Sequence, residues 1–442
     1  MTQPLVLHAA EETLEAVHTR RHAAYPAYKP SDVEWLGDVP EHWETLSLKH
    51  VANVQFSNVD KHTVEGEIPV RLCNYTDVYY NDRITEDLQF MEATATKHEI
   101  SRFKLERGDV LITKDSEDWS DIAVPALVVD EFEDVLCGYH LAQIRPQPNR
   151  CTGAYLARAF ASSGIVDQFR VAATGVTRYG LPKNALRKAV FPVPPLEEQQ
   201  AIARFLDEQT RKIDDLIEAK RSLLDLLKEK RQAVITHAVT RGLDPAAKLK
   251  PSGVEWLGDV PEHWDVKSLK YVTSIKSGEN ITYASIDSIG NYPVYGGNGV
   301  RGYTSEYTHD GDFVLIGRQG ALCGNVHAAS GRIWASEHCA VATPKKVSVR
   351  WLRSLLEVMD LRQYSETAAQ PGLAVEKVLR LRIPYPSTAE QKIIARFLDE
   401  ETEKMDDLES VVREAIETLE SLRAGVISAA VTGKIDVRGE GV

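Results

Sequence analysis

The stretch Lys29–Trp43 reads KPSDVEWLGDVPEHW, and it returns at Lys250–Trp264 as KPSGVEWLGDVPEHW with one change in fifteen positions. A second repeat pairs LEEQQAIARFLDEQTRKIDDL at Leu196–Leu216 with TAEQKIIARFLDEETEKMDDL at Thr388–Leu408, identical at 14 of 21 positions. The first pair is offset by 221 residues and the second by 192, so the segments between them differ in length. The sequence therefore predicts two copies of one unit, each with similar ends and a variable middle.

The repeats predict an α+β fold in which two globular domains alternate with two long helices. Within the first variable region, the turn Arg107–Asp109 precedes an apolar strand, and Asp310–Asp312 is predicted to do the same in the second. Residues 8–22 are expected to form a short helix. The predicted segments are 1–43 with the first repeated block, 44–192 as the first domain, 193–243 as the central helix, 244–264 with the second block, 265–386 as the second domain, and 387–442 as the C-terminal helix.

The two helical segments carry an apolar stripe with a period of 3.5 residues, which is typical of a coiled coil. In the first helix the predicted seam positions are Ile202, Leu206, Gln209, Ile213, Leu216, Lys220, Leu223, Leu227, Lys230 and Val234. In the second they are Ile394, Leu398, Glu401, Met405, Leu408, Val412, Ala415, Leu419, Leu422 and Val426. Where the first stripe is polar, at Lys220 and Lys230, the corresponding positions of the second are apolar, at Val412 and Leu422. Such differences favour pairing the two copies with each other over self-pairing, and we expect an antiparallel pair with a pseudo-two-fold axis. The simpler alternative is that each helix is a dimerisation element.

Composition indicates an ordinary globular protein, with 43% hydrophobic and 26% charged residues. No apolar run approaches the roughly 20 residues of a membrane span, no signal pattern opens the chain, and five cysteines without CxxC spacing fit a reducing compartment. These features predict a cytoplasmic protein. The net charge is −13, but residues 265–386 hold 14 Lys/Arg against 11 Asp/Glu, so a local basic face is compatible with the acidic total.

Motifs that would indicate catalysis are missing from the sequence. There is no Asn/Asp-Pro-Pro-aromatic loop for amino methylation, no GxxxxGK[ST] phosphate loop, no HExxH and no GxSxG. The acidic run Asp115–Asp121 could hold a divalent ion, although a solvated loop is the more common role of such a run. We therefore predict a non-catalytic chain without a metal or cofactor site of its own.

Two features identify a family that the whole chain resembles. Helical segments opened by Pro194-Pro195-Leu196-Glu197-Glu198-Gln199 alternate with variable regions, each preceded by WLGDVPEHW. In the second region, YPVYGGNGVRG at Tyr292–Gly302 is followed by VLIGRQG at Val314–Gly320. This organisation resembles the specificity subunit of a type I restriction-modification enzyme.

The resemblance implies two target-recognition domains that each read half of a bipartite, asymmetric site in double-stranded DNA. It implies helices that set the spacer and dock two methyltransferase (modification) subunits, and it allows restriction/translocase subunits to join. S-adenosylmethionine, ATP and Mg are expected on those partner subunits. The second helix opens with Tyr385-Pro386-Ser387 and thus departs from the Pro-Pro-Leu pattern.

Candidate DNA contacts follow from the rule that Arg or Lys reads guanine and Asn or Gln reads adenine in the major groove. The candidates in the first domain are Lys114, Thr177, Arg178, Tyr179 and Lys183. Those in the second are Asn298, Arg301, Tyr303, Arg318 and Gln319, with Gln370 as a weaker candidate.

Each of these interpretations has a structural alternative. Gly296–Gly299 could be only a tight turn, and Arg318 could belong to an internal ion pair. The tryptophans of the repeated block, Trp35, Trp43, Trp256 and Trp264, are expected to be core or interface anchors more often than stacking surfaces. For the whole chain, the alternative is a coiled-coil scaffold that carries two protein-binding domains and no DNA.

Overall fold

The computed structural model describes residues 23–365 and 372–439. The expected helix at 8–22 and the candidate Gln370 lie outside the described residues. The chain divides into two compact units, one formed by Met1–Ala219 with Ala415–Val442 and the other by Lys220–Glu414. Each unit therefore combines one globular domain with parts of both long helices.

The first globular domain contains fourteen strands and five short α-helices among the described residues, followed by the first long helix. The strands are β1 Tyr28–Pro30, β2 Asp38–Pro40, β3 Glu44–Ser47, β4 Ala52–Phe56, β5 Ile68–Cys73, β6 Arg83–Ile84, β7 Met91–Ala95, β8 Val110–Thr113, β9 Asp115–Ser116, β10 Pro125–Val128, β11 Val135–Cys137, β12 Leu141–Pro146, β13 Tyr179–Gly180 and β14 Val190–Val193. The helices are α1 Tyr75–Tyr79, α2 Lys97–Phe103, α3 Gly153–Phe160, α4 Ser163–Ala172, α5 Lys183–Lys188 and the long helix α6 Leu196–Arg241.

Two sheets form the body of this domain. One has the strand order β4-β12-β8-β10-β6 and the other β11-β5-β7. Strand β8 is fully buried, as its apolar run Val110–Ile112 predicts, and the buried Thr113 hydroxyl donates to the Asp121 carbonyl at 2.6 Å. The turn predicted before it is confirmed, because the Asp109 amide bonds to the Glu106 carbonyl at 3.0 Å and Gly108 has φ +93°.

The second globular domain is built on a different sheet. Its strands are β15 Leu249–Pro251, β16 Asp259–Pro261, β17 Asp265–Ser268, β18 Thr273–Ser277, β19 Tyr292–Gly296, β20 Gly299–Thr304, β21 His309–Gly317, β22 Val326–Ala335, β23 Cys339–Pro344 and β24 Arg382–Tyr385. Its helices are α7 Val349–Val358, α8 Val375–Arg380 and the long helix α9 Thr388–Val431. The main sheet has the order β18-β23-β21-β22-β19-β20.

One turn prediction in the second domain is wrong. Asp310–Asp312 lies inside β21, where Gly311 pairs with Gly331 of β22 in a long hairpin. Because two glycines face each other, the strands approach without side chains and the pairing continues through the segment that the sequence marked as a turn.

The repeated blocks fold alike in both units. Strand β1 pairs with β2 so that Lys29 faces Val39, and β15 pairs with β16 so that Lys250 faces Val260. Trp43 and Trp264 close each block and are fully buried. These two tryptophans are therefore core anchors.

A glutamine in each long helix ties the helix to its own domain. Gln199 accepts from the Thr152 amide at 2.8 Å and donates to the carbonyls of Arg150 and Pro194 at 2.9 and 2.8 Å. Gln391 accepts from the Ser348 amide at 3.1 Å and donates to the Pro386 carbonyl at 3.0 Å. The glutamine that both repeats retain is thus explained by a buried side chain that bonds to several backbone groups.

The long helices pack antiparallel within each unit. In the first unit, Ile213 and Ile217 of α6 pack against Leu419 of α9. In the second, Ile235 and Val239 share a core with Ile394 and Leu398. The predicted seam of α9 is confirmed at alternate positions, where Ile394, Leu398, Met405, Val412 and Leu419 are buried. The other predicted positions are half-buried, namely Glu401, Leu408, Ala415, Leu422 and Val426.

The predicted seam of α6 is wrong by one residue at alternate positions. Buried residues run from Leu206 to Thr210, Ile213 and Ile217, so Thr210 and Ile217 replace Gln209 and Leu216. The buried positions Ile202, Leu206 and Thr210 follow each other at two consecutive steps of four residues, whereas the predicted seam alternates steps of four and three. The extra residue in the second step displaces the buried position from Gln209 to Thr210. Lys230, a predicted seam residue, is exposed, whereas the neighbouring Arg231 pairs with Asp406.

Candidate nucleic-acid interface

Two short strands bring together the two loop regions that the sequence singled out in the first domain. Strand β13 pairs with β9, with Tyr179 opposite Ser116 and Gly180 opposite Asp115. The Leu181 amide then donates to the Lys114 carbonyl at 2.8 Å. Lys114 and the Thr174–Lys183 segment therefore form one surface, although about sixty residues separate them in sequence.

Lys114 is held against the body of the domain. Its Nζ donates to the Ser57 carbonyl at 2.9 Å and lies 5.4 and 5.0 Å from the ring centroids of Phe56 and Tyr139. Burial lowers the pKa of Lys114. The prediction that Lys114 contacts DNA stays a prediction, and its ammonium already has partners.

Arg178 projects from the same surface and is about half exposed, at 52%. Its Nε and one terminal nitrogen donate to Asp115 Oδ1 at 3.1 and 2.6 Å. His140 Nδ1 lies 2.6 Å from the same carboxylate oxygen. Asp115 and His140 were not among the predicted contacts, and together they orient one that was.

The remaining candidates of this domain differ in their surroundings. Thr177 is exposed and Tyr179 is half-buried in β13. Lys183 opens α5, with its Nζ 5.9 Å from the Phe56 ring centroid. Lys183 also lines a neighbouring concavity.

A basic concavity of about 480 Å³ follows the edge of the domain beside Lys183. Its cations are Lys49, Arg102, Lys183 and Arg187, and its amide side chains are Asn53, Gln55 and Gln147. Arg102 Nε donates to Gln55 Oε1 at 3.0 Å. Four cations and three amides in one hollow of a chain with net charge −13 match a phosphate-binding and base-reading surface. Apart from Lys183, the sequence did not reveal these residues, because they come from four separated segments.

In the second domain, three of the predicted contacts line one cavity, two from the β19–β20 hairpin and one from the segment after β21. Asn298, Arg301 and Gln319 line a cavity of about 390 Å³ together with His338. Asn325 Nδ2 donates to Asn298 Oδ1 at 3.0 Å, which fixes the orientation of that amide. A Cβ at Gly296 would lie 2.5 Å from Arg301 Cδ, so the glycine makes room for the arginine.

Tyr303 and Arg318 lie outside the lining of that cavity. Tyr303 is in β20, where its backbone forms paired hydrogen bonds with Asp287 at 2.8 and 2.9 Å. Arg318 directly follows β21 and is half-buried. The contact of either side chain with DNA stays a prediction.

The two domains present their polar residues on the same backbone pattern. The Lys114 amide donates to the His140 carbonyl and the Lys114 carbonyl accepts from Leu181, at 3.1 and 2.8 Å. The Arg318 amide donates to the His338 carbonyl and the Arg318 carbonyl accepts from Leu373, at 2.9 and 2.9 Å. Three pairs of positions are therefore equivalent, namely Lys114 with Arg318, His140 with His338, and Leu181 with Leu373.

This equivalence extends to the next residue of each domain. Asp115 pairs with Gly180, and Gln319 forms a bridge with Gly372. Only the two Gly-Leu dipeptides, 192 residues apart, gave a sequence signal for it. The side chains at the equivalent positions differ, so the same frame presents different chemistry in each domain.

Within residues 23–365 and 372–439, no group of three or more His, Cys, Asp or Glu side chains is placed to hold a metal ion. In the same part of the chain, no helix is long and apolar enough to cross a membrane.

Comparison with known proteins places both domains in one family. The sequence model described as "Type I restriction modification DNA specificity domain" matches residues 40–225 and 261–418, which together are most of the chain. The chain is 40% identical over 153 residues to the Escherichia coli type I restriction enzyme EcoprrI specificity subunit, covering 34% of this chain and 37% of that relative. It is 24% identical over 433 residues to the putative type I restriction enzyme MjaX specificity subunit of Methanocaldococcus jannaschii, covering 91% of this chain and 96% of that relative.

Solved structures give the same fold. One, from work on the "Structural basis underlying complex assembly and conformational transition of the type I R-M system", matches with TM-score 0.71 and 18% identity, covering 91% of this chain and 99% of the other. The HsdS subunit from Thermoanaerobacter tengcongensis matches with TM-score 0.53 and 18% identity, covering 90% and 98%. The resemblance inferred from the repeats is confirmed, and this chain belongs to the family of type I restriction-modification DNA specificity subunits.

Proposed function

We propose that each globular domain reads one half of a bipartite, asymmetric site in double-stranded DNA. In the first domain the reading surface is the Asp115–Arg178 cluster with the basic concavity beside it. In the second it is the cavity lined by Asn298, Arg301, Gln319 and His338. The observation that carries the proposal is the equivalent backbone pattern of the two surfaces. At matching positions the first domain carries Lys114 and Asp115, and the second carries Arg318 and Gln319.

The helices α6 and α9 set the spacer between the half-sites and dock two methyltransferase subunits. Each helix contributes to both compact units, so a change in helix length acts on both domains together. Adenine methylation with S-adenosylmethionine takes place on those partner subunits. When restriction/translocase subunits join, they supply the ATP- and Mg-dependent steps. This chain is non-catalytic and acts in the cytoplasm.

The proposal is tested by expressing the chain with its cognate methyltransferase subunits, in a host without other adenine methylation. Long-read sequencing of the host genome then reports N6-methyladenine and its surrounding motif. We expect a single motif with two defined halves and an undefined spacer. Methylation without a split motif, or none in a complex that assembles, would contradict the proposal and favour the protein-binding scaffold.

A variant of the second domain sharpens this test. Arg301→Ala should relax the motif in one half only, because loss of one base contact costs about 1–3 kcal/mol at that base pair. Arg332→Ala is the matched control, since Arg332 is an exposed arginine of the same domain paired with Asp310 at 3.0 Å and lies outside the cavity. A uniform loss of methylation at all sites with Arg301→Ala would indicate a phosphate contact in place of a base contact.

A further inference from the structure

The Asp115–Arg178 pair has the geometry of a supported reading arginine. Asp115 is 17% exposed, and one of its oxygens accepts both Nε and a terminal nitrogen of Arg178. His140 approaches the same oxygen and packs edge-on against Tyr139, with ring centroids 4.3 Å apart. The carboxylate is thus fixed by the domain, whereas the guanidinium extends into solvent.

The free edge of the guanidinium determines what Arg178 can bind. A guanidinium carries five N–H donors in one plane, and Asp115 accepts that of Nε and one of Nη2. His140 Nδ1 also lies 2.9 Å from Nη2, but it donates to the Asp115 carboxylate at 2.6 Å, because a carboxylate only accepts, and so it does not accept the second N–H of Nη2. Among the described residues, Nη1 of Arg178 has no hydrogen-bond partner. The outer edge formed by the two terminal nitrogens presents parallel N–H groups, which match O6 and N7 of guanine in the major groove.

We propose that Arg178 reads a guanine in the half-site of the first domain and that Asp115 is the positioning residue that fixes its orientation. This inference rests on the proposed function, and it adds the base read and the residue that controls the reading. The second domain has no such device at the equivalent position, because Gln319 there is uncharged and lines the cavity itself. The first domain therefore uses an arginine supported by a carboxylate, and the second uses an amide at the equivalent position of the same backbone pattern.

The experiment measures base preference at every position of the site. The chain is purified in complex with its methyltransferase subunits and offered a duplex library with the recognised site randomised one position at a time. Methylated molecules are then sequenced. The variants are Arg178→Ala, Asp115→Ala, Asp115→Asn and the double variant Asp115→Ala/Arg178→Ala.

We expect Arg178→Ala to reduce the preference for guanine at one position by about 5- to 150-fold, the factor that corresponds to loss of a bidentate base contact. Asp115→Ala should relax the same position and no other. Asp115→Asn should keep part of the preference, since its amide oxygen can still accept from Arg178. The double variant should match Arg178→Ala, because Asp115 acts through the arginine.

The matched control is Asp134→Ala. Asp134 supports Arg71 in the same domain through equally close contacts, 3.0 Å to Nε and 2.7 Å to the terminal nitrogen. We expect this variant to leave every base preference unchanged, whatever it does to stability.

Three results would overturn the inference: an unchanged preference with Arg178→Ala, a relaxed position with Asp115→Ala that differs from the one relaxed by Arg178→Ala, or further relaxation at that position in the double variant. In each of these cases a wild-type complex that still methylates a split motif leaves the proposed function intact. A wild-type complex without a split motif contradicts the proposed function itself.

Discussion

Glu198, in the first turn of α6, is predicted to stabilise the first repeated block far more than its counterpart Glu390 stabilises the second. Glu198 is 5% exposed. Its Oε1 accepts from Trp43 Nε1 at 3.0 Å and from the Tyr25 hydroxyl, and its Oε2 lies 2.8 Å from His42 Nε2. Burial, and then the hydrogen bond to Glu198, raises the pKa of Tyr25 well above its usual range.

The second block lacks most of these contacts. Glu390 is 27% exposed, and its described partner there is His263 at 3.2 Å. Ala246 occupies the position equivalent to Tyr25, at the same offset of 221 residues. Among the described residues, Trp264 Nε1 has no hydrogen-bond partner. Two identical tryptophans are therefore held in different ways.

The magnitude follows from the donors that each substitution strands. Glu198→Ala leaves two buried donors unpaired, each at about 1–3 kcal/mol, while removal of a buried charge offsets part of that cost. We expect a net loss of about 2–4 kcal/mol. Glu390→Ala affects an exposed histidine contact and should cost less than about 1 kcal/mol.

Hydrogen exchange measured by mass spectrometry separates the two blocks within one molecule. Since about 1.4 kcal/mol corresponds to a tenfold change, Glu198→Ala should speed exchange in Tyr28–Trp43 roughly 30- to 1000-fold. Leu249–Trp264 should be nearly unchanged in Glu390→Ala. Equal acceleration of the two blocks by the two variants, or no acceleration by Glu198→Ala, would refute the reasoning.

Three further predictions concern other parts of the chain. Replacing Lys49 and Arg187 by Ala should weaken binding to all DNA sequences alike, and the slope of log affinity against log salt concentration should become shallower by about 0.9 for each lost phosphate contact. Lys228→Ala, on the exposed face of α6, should change neither. Titration of a duplex at several salt concentrations measures both quantities. Burial lowers the pKa of Lys114 below its ordinary 10.5. Between the folded and the unfolded pKa the unfolded chain binds more protons, so the free energy of unfolding should rise with pH in that range. Lys114→Met should lack that rise in urea titrations, and a free energy that depends on pH as in the wild type would contradict the assignment. Seven residues are inserted after Ala219 in α6 and seven after Glu417 in α9, each five positions from the Asp214–Arg423 ion pair. The insertions lengthen the helix pair by about 10.5 Å and should change the spacer of the motif by about 3 base pairs at 3.4 Å each. Altered half-sites with an unchanged spacer would contradict the role of the helices.

The elements that could be predicted are those whose signal is local. Trp43 and Trp264 were expected to be anchors because tryptophans of a repeated block are more often core or interface anchors than stacking surfaces. The α9 seam follows a regular apolar stripe. The α6 seam could not be placed as well, because Thr210 and Gln209 are both polar and the pattern alone does not distinguish them. Only packing against α9 decides which of the two is buried.

The candidate site could be predicted only in part, for a different reason. Arg178 and Arg301 could be named as candidates from the sequence because arginine in a polar loop matches the chemistry of a guanine reader, and their contact with DNA stays a prediction. Asp115 and His140 were missed because their role depends on backbone pairing between segments far apart in sequence. The concavity around Lys49 and Arg187 was missed likewise, since no single segment holds more than part of it.

The backbone frame also explains how one fold can carry two specificities. The bonds that position Lys114 and Arg318 run from main chain to main chain, to His140 and Leu181 in one domain and to His338 and Leu373 in the other. Such bonds do not depend on the side chain at the position they hold. The first domain can therefore carry Lys114 and Asp115 where the second carries Arg318 and Gln319, at little cost to the fold. The recognised bases can then differ between the domains while the helices, blocks and buried glutamines that support both stay the same.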